Sequence, residues 1–163
     1  CALPIFVHSS EVRIWENVDN LGRAWVVGRA LDLNQDPKAL LLAADPADTA
    51  LLEQAFDGPL GGRGTARVVE HRGSEIDLAV DTDGPALVVV AENRAPGWVA
   101  SVDGGDWEPT LPCDVAWQAV PVPEGRSEVR LRYDPPAYRW GARISLAAAL
   151  LAIWMLMRPR DGV

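Results

Sequence analysis

Apolar and polar positions alternate with a period of two over much of residues 65–134. Ser74–Asp81 is the cleanest case. Ile76, Leu78 and Val80 fall on one face and Glu75, Asp77 and Asp81 on the other, the pattern of a half-buried antiparallel strand. Thr65–Arg72 and Ser127–Asp134 alternate in the same way, and the second of these points Val129, Leu131 and Tyr133 inward and Glu128, Arg130 and Arg132 outward. Pro85–Asn93 is apolar on both faces, which predicts a central strand or one covered on both sides, and Asp114–Val122 adds another strand. Asp81–Pro85, Asp103–Asp106 and Pro123–Arg126 supply turn residues between them. Short strands at regular spacing with tight turns predict an antiparallel β-sandwich or jelly-roll-like domain over 65–136.

Residues 1–64 predict a small α/β part packed on the same domain. Glu11–Val18 alternates, with Trp15 on the face of Glu11, Arg13 and Asn17. Gly22–Leu33 predicts one further strand with Trp25, Val27, Arg29 and Leu31 on a common face. Asp36 followed by Pro37 and an apolar run is a helix start, Asp as N-cap and Pro at the first helical position. Asp45-Pro46 repeats that signal and predicts a second short helical turn. Asp57–Gly64 predicts a loop.

The stretch Asn93–Thr110 places Trp98 and Trp107 on either side of Asp103-Gly104-Gly105-Asp106. With a two-residue turn at Gly104-Gly105, Val102 lies opposite Trp107, Ala100 opposite Pro109 and Trp98 opposite Leu111, all on one apolar face. A two-residue Asp103-Gly104 turn sorts them identically. Both rings are therefore expected in the core, whereas a three-residue loop would turn Trp107 to the acidic face.

Ile144–Met157 carries no charge, Ser145 is its only polar side chain, and it has no polar stripe. Its length as a helix is about 21 Å, short of a hydrocarbon core of about 30 Å. Counting from Tyr138 extends it to about 20 residues, with Tyr138 and Trp140 at the interface and Arg139 and Arg143 reaching for headgroups. Residues 137–163 are thus expected to be a transmembrane helix with a short cytoplasmic tail bearing Arg158 and Arg160. The alternative is a buried core helix, which normally shows a polar stripe.

Charge narrows the partners. The formal net charge is −8, which argues against a nucleic-acid partner. Cys1 and Cys113 form neither a disulfide framework nor a zinc site and are expected free, although a single bridge between them or a lipidated Cys1 is an open alternative. Asp81-Thr82-Asp83 has the form of a metal-binding acidic pair but sits where a strand turns. Gly58–Gly64 has the glycines of a phosphate loop without its Lys-Ser/Thr or following helix. The only histidines are His8 and His71. No catalytic, cofactor or metal residue is assigned, and no cofactor is expected. A carbohydrate-binding reading would need exposed aromatic rings, and its candidates for glycan contact are Trp15, Trp107 and Trp117.

Pro96-Gly97-Trp98, Val102-Asp103-Gly104, Val120–Gly125 and Tyr133-Asp134-Pro135, followed by a hydrophobic helix, resemble in kind and order the C-terminal part of YfhO-type bacterial membrane proteins. Glu16, Asn17 and Arg23 resemble a further segment of that family, which has a proline where Gly22 stands. The resemblance implies large multi-spanning proteins similar to polyprenyl-phosphate-sugar-dependent glycosyltransferases of the cell envelope. Their catalytic acidic residue would lie in an early extracytoplasmic loop outside this chain. It also implies a place at the bacterial cytoplasmic membrane with the β domain facing outward. The partners it implies are the bilayer through Ile144–Met157, N-terminal membrane helices of the same protein, and a glycan or lipid-linked sugar. The expected function is an extracytoplasmic accessory domain of such a protein; the alternative is a stand-alone membrane-anchored carbohydrate-binding or structural domain.

Overall fold

The computed structural model describes residues 5–9, 13–16, 20–34 and 36–157, with backbone alone for 5–9 and 13–16. The chain is mainly β. Strands β1 (Ile5–Ser9) and β2 (Arg13–Glu16) pair as an antiparallel ribbon. A six-stranded sheet is built from β3 (Ala24–Val27), β4 (Arg29–Asp32), β5 (Thr49–Leu52), β8 (Ala86–Val90), β11 (Leu111–Cys113) and β12 (Trp117–Val122), in the order β3-β8-β12-β11-β5-β4. A five-stranded antiparallel sheet holds β6 (Gly64–His71), β7 (Glu75–Thr82), β9 (Trp98–Val102), β10 (Glu108–Pro109) and β13 (Gly125–Tyr133), in the order β10-β9-β13-β7-β6. Two helices complete it, α1 (Pro37–Ala43) and α2 (Pro136–Met157).

Gly22–Leu33 is not one strand. It breaks at Gly28 into β3 and β4, which are the two outermost strands of the same sheet. In a flat six-stranded sheet those edges would lie about 24 Å apart. Val27 and Arg29 are separated by one residue, hence by at most about 7 Å. The sheet therefore curls until its first and last strands meet end to end. The curl encloses a core to which all six strands contribute: Trp25 and Val27, Leu87 and Val89, Ala119, Cys113, Ala50 and Leu52, with Ala30 of β4 packed against them. The phase of the alternation also slips at Gly28. Trp25 and Val27 point in before it and Ala30 after it, and Leu31 is left largely exposed rather than sharing their face.

Gly28 occupies the joint because nothing larger fits. A Cβ there would sit 2.6 Å from the carbonyl oxygen of Gly62, and a Cβ on Gly62 would sit 2.0 Å from that of Gly84. Three backbone segments cross here in direct contact, and this accounts for Gly62 of the 57–64 loop.

The second core lies between the sheets. Ile76, Leu78, Val80, Trp98, Ala100, Val129 and Leu131 of the five-stranded sheet meet Ala24, Ala86, Val88, Val90, Val120 and Val122 on the outer side of the curl. Strand β8 is buried along its whole length because it faces one core on each side, as its two-faced apolar run predicts. Tyr133 is the exception to the inward row of β13. It stands at the sheet's end, 37% exposed, tilted against Trp98 at 5.5 Å.

β4 and β5 run parallel, Arg29 opposite Thr49 through Asp32 opposite Leu52, and α1 makes the crossover that parallel strands need. The helix starts as expected, with Asp36 Oδ1 accepting from Ala39 N at 3.1 Å and Pro37 in the first turn. The second short helical turn forms as a single turn, Asp45 O accepting from Asp48 N at 3.1 Å and from Thr49 N at 3.0 Å. Pro46–Asp48 is a turn, and the apolar residues after it are the buried strand β5. β5 lies between two strands inside the curl, so tertiary pairing ends the helical signal after that one turn.

α2 leaves the last strand through a stiff corner. Asp134 N donates to Gly97 O at 2.8 Å, and a Cβ on Gly97 would meet Pro135 Cα at 2.6 Å. Every described residue of α2 is exposed, and neither core contains one of its side chains. Among the described residues no helix is long and apolar enough to cross a membrane, so the transmembrane part of the expected architecture lacks support. Arg139 and Arg143 occupy its N-terminal part, and its charge-free run begins only at Ile144. The expected cytoplasmic Arg158 and Arg160 lie outside the described residues.

The joint yields a test. Gly28→Ala is expected to lower stability by about 1–3 kcal/mol through backbone overlap. Gly141→Ala, whose added Cβ meets nothing within 4 Å, should leave it unchanged or raise it slightly. Denaturant unfolding of both variants checks this.

Candidate functional site

The hairpin that carries Trp98 and Trp107 sets the character of the five-stranded sheet's open edge. Gly105 N donates to Val102 O at 2.9 Å, with φ 52° at Asp103 and 74° at Gly104. Positive φ at both central residues makes a type I′ turn, the two-residue Asp103-Gly104 connection. The ladder beyond does not continue its register. Glu108 pairs with Ala100 and Pro109 with Val99, one residue out of step, so an extra residue is taken up among Gly105–Trp107. That slip separates the two rings. Trp98 is 7% exposed in the core between the sheets, as expected. Trp107 is 43% exposed, which corrects the expectation that it is buried. The Arg132 guanidinium lies over its ring at 4.4 Å from the centroid.

The other glycan candidates do not join it. Trp117 is half-buried and packs edge-on to Trp25 at 5.2 Å, inside the mouth of the curled sheet. Trp25 in turn donates Nε1–H to Pro46 O at 2.8 Å. Trp15 has its side chain outside the described residues. Only Trp107 therefore presents an open ring at a described position among these three, and it faces a different region from Trp117.

The outer face of the five-stranded sheet holds an open groove of about 970 Å³ over Ala79, flanked by Arg67, Asp81, Asp103, Arg126 and Glu128. Register explains it. Arg67, Ala79 and Glu128 are directly paired across three strands, so a small side chain sits between two long charged ones. Arg126 Nε pairs with Asp81 Oδ2 at 3.0 Å, a solvent-exposed bridge worth little. Asp103 is anchored to β13 from both ends, its N donating to Glu128 O at 2.8 Å and its Oδ1 accepting from Glu128 N at 2.7 Å. The charges flanking the groove are mixed in sign, and no aromatic ring lines it.

Asp81–Asp83 closes β7 and enters the bend after it, as its setting at a strand end predicts. Asp81 pairs with Arg126, Thr82 donates its hydroxyl to Pro123 O, and Asp83 accepts from Arg63 N. His71 Nε2 lies 3.5 Å from Glu92 Oε2, which Arg23 also approaches at 3.6 Å. Glu70 pairs instead with Arg72. The side chain of His8 is outside the described residues. Among the described residues no group of three or more His, Cys, Asp and Glu side chains is placed to hold a metal ion.

Among the described residues Cys113 is a buried free thiol, in the interior of the curl. Burial pushes its pKa well above the ordinary thiol range, and the neighbouring Asp114 charge adds to this, so the nucleophilic thiolate is suppressed. Cys1 lies outside the described residues. Asp114 occupies a strained turn, φ 49°, followed by Val115 at φ 70°, a conformation that a β-branched residue rarely adopts. Pattern reading had no signal for it. Its Oδ1 accepts from Leu51 N at 2.9 Å and its N donates to Leu51 O at 2.8 Å, so one residue continues the ladder from β11 to β5. Its Oδ2 is buried without a hydrogen-bond partner. Burial raises the Asp114 pKa, and the Leu51 N–H only partly offsets it.

Two sets of outcomes follow from these environments. Trp98→Ala should cost about 3–5 kcal/mol, while Trp107→Ala should cost less than about 1 kcal/mol, read from denaturant unfolding. Asp114 binds its proton more tightly folded than unfolded. Its contribution to stability is therefore greatest at low pH and falls as pH rises from the ordinary carboxylate range through the raised folded value. Asp114→Asn keeps the acceptor, tolerates the left-handed backbone and removes this fall, so its unfolding midpoint should exceed the parent's at neutral pH. Asp114→Ala strands the Leu51 N–H and should lose about 1–3 kcal/mol at any pH.

No protein-family model, no curated protein and no solved structure matches this chain.

Proposed function

We propose that this chain is the extracytoplasmic accessory domain of a multi-spanning envelope membrane protein of the glycosyltransferase-like, YfhO type, held at the bacterial cytoplasmic membrane through α2. The observation that carries the reading is α2 itself. Ile144, Leu146, Leu150, Leu151, Ile153 and Met155 are each more than half exposed, and they fall on two opposite sides of the helix, with Ala148, Ala149, Ala152 and Ser145 between them, so the run has no charged face. A groove on a protein partner covers one face of a helix; a helix apolar all round calls for an apolar medium or a surrounding bundle. The charge-free run is shorter than a bilayer core, so α2 seats there beside other helices of the same protein rather than alone. The motif order quoted above supports the family. Chemistry would then reside in the parent's membrane part, and the β domain would position it or its lipid-linked sugar.

A carbohydrate-binding module has less behind it. Trp117 is half-buried against Trp25, and one face of Trp107 is covered by Arg132.

Vesicle flotation tests the reading. Both cores are complete without α2, so a chain ending at Pro136 retains its fold. The full chain should float with lipid vesicles and the truncated chain should stay in the aqueous fraction. Equal behaviour of the two would sink the proposal.

A further inference from the structure

The exposed Trp107 and the Arg132 stacked on it stand next to the root of α2. Arg132 Nη2 and Arg139 Nη1 reach the same carboxylate oxygen, Asp134 Oδ2, at 3.9 and 3.7 Å. Arg132 lies at the end of β13 and Arg139 in the first turns of α2. One turn further along α2, the Arg143 guanidinium lies 5.3 Å from the Trp140 ring centroid. Trp107, Arg132, Arg139, Trp140 and Arg143 thus form one continuous strip from the sheet edge onto the helix.

The charge of this strip opposes that of the molecule. The chain carries a net −8, yet α2 contains two arginines and no acid. Asp134 is the carboxylate inside the strip, and it is shared by two guanidinium groups. Asp106 and Glu108 alternate with Trp107 and line a groove on the other side of β10, with Ala100, Val102 and Val120. The corner between sheet and helix is held by the Asp134 N to Gly97 O bond and the Gly97–Pro135 contact, so the strip does not depend on a mobile hinge.

We propose that this strip is a docking surface for anionic lipid headgroups, with Trp107 in the interfacial layer and Arg132, Arg139 and Arg143 facing lipid phosphates. Indole rings prefer that layer, and guanidinium pairs with phosphate oxygens in a fork. The edge of the β domain then rests on the membrane, and the acidic remainder is held away by repulsion. This rests on the membrane seating of α2 proposed above and adds a lipid preference and an orientation to it.

Partition of the full chain into phosphatidylcholine vesicles with and without phosphatidylglycerol, at low and high salt, tests it. Several-fold tighter, salt-sensitive partition into the anionic vesicles is expected. Arg132→Gln and Arg139→Gln should each weaken that partition about fivefold, and Arg132→Lys, which keeps the charge without the fork, should weaken it less. Arg126→Gln, at the far end of β13, should not change it. Arg139 lies outside both cores, so its variant reads the surface even if Arg132→Gln unfolds. Equal partition into neutral and anionic vesicles overturns the proposal while leaving α2 seating intact; no binding to either overturns the seating. An equal loss in Arg126→Gln makes the effect generic charge. Competition by millimolar inorganic phosphate assigns a soluble anion site instead. A strip that binds no vesicle but shifts the chain to a larger species assigns a protein partner.

Discussion

A single residue between two strands shapes this molecule. β3 and β4 must stay adjacent along the chain and yet end opposite edges of one sheet, so the sheet has no flat solution. Its curl creates an interior of its own, and that interior turns the apolar runs of β5 and β8 into strands buried on both faces. The curl's outer side then offers Ala86, Val88 and Val90 to the five-stranded sheet. Two cores follow from one closure, and the closure depends on three backbones touching at Gly28, Gly62 and Gly84.

Much of this was legible from alternation. β7, β13 and the double-sided burial of β8 are visible residue by residue, because period-two patterning reports directly which face water sees. The Asp36-Pro37 helix start is equally local. What alternation does not report is partnership. Thr49–Leu52 reads as the continuation of an Asp-Pro helix start until β4 and β11 are placed on either side of it. Gly28 stands inside a pattern that reads as one strand through Leu33, and the break there, with strands at opposite edges, belongs to sheet order. Asp114 carries no pattern signal, since its function is to complete a ladder with Leu51, distant in sequence.

The hairpin at residues 98–109 shows how little separates scaffold from surface. A type I′ turn left unperturbed would align Trp107 with Ala100 over the core. One additional residue after the turn puts Glu108 there instead, and the largest side chain of the segment turns outward. Register slips of one residue exchange the two faces of a strand. They are invisible to composition, and here the slip decides whether the edge of the sheet is sealed or offers a ring and a cation.

The same logic joins the β domain to the helix. A helix whose described side chains are all exposed adds none of them to either core. The sheet nevertheless meets its root closely: Asp134 N donates to Gly97 O, and Gly97 admits Pro135 at a distance that no side chain would allow, with Asp134 near arginines of both elements. A flexible tether would need neither. A helix fixed in direction and apolar all round transmits the orientation of whatever surrounds it to the sheet above. The outward ring of Trp107 and the guanidinium of Arg132 lie where that surrounding layer would begin. The stiffness of the corner, the charge reversal along α2 and the register slip in the hairpin are three separate features of the chain. They converge on one strip of surface, and it is that convergence, more than any single contact, that supports the proposed interface.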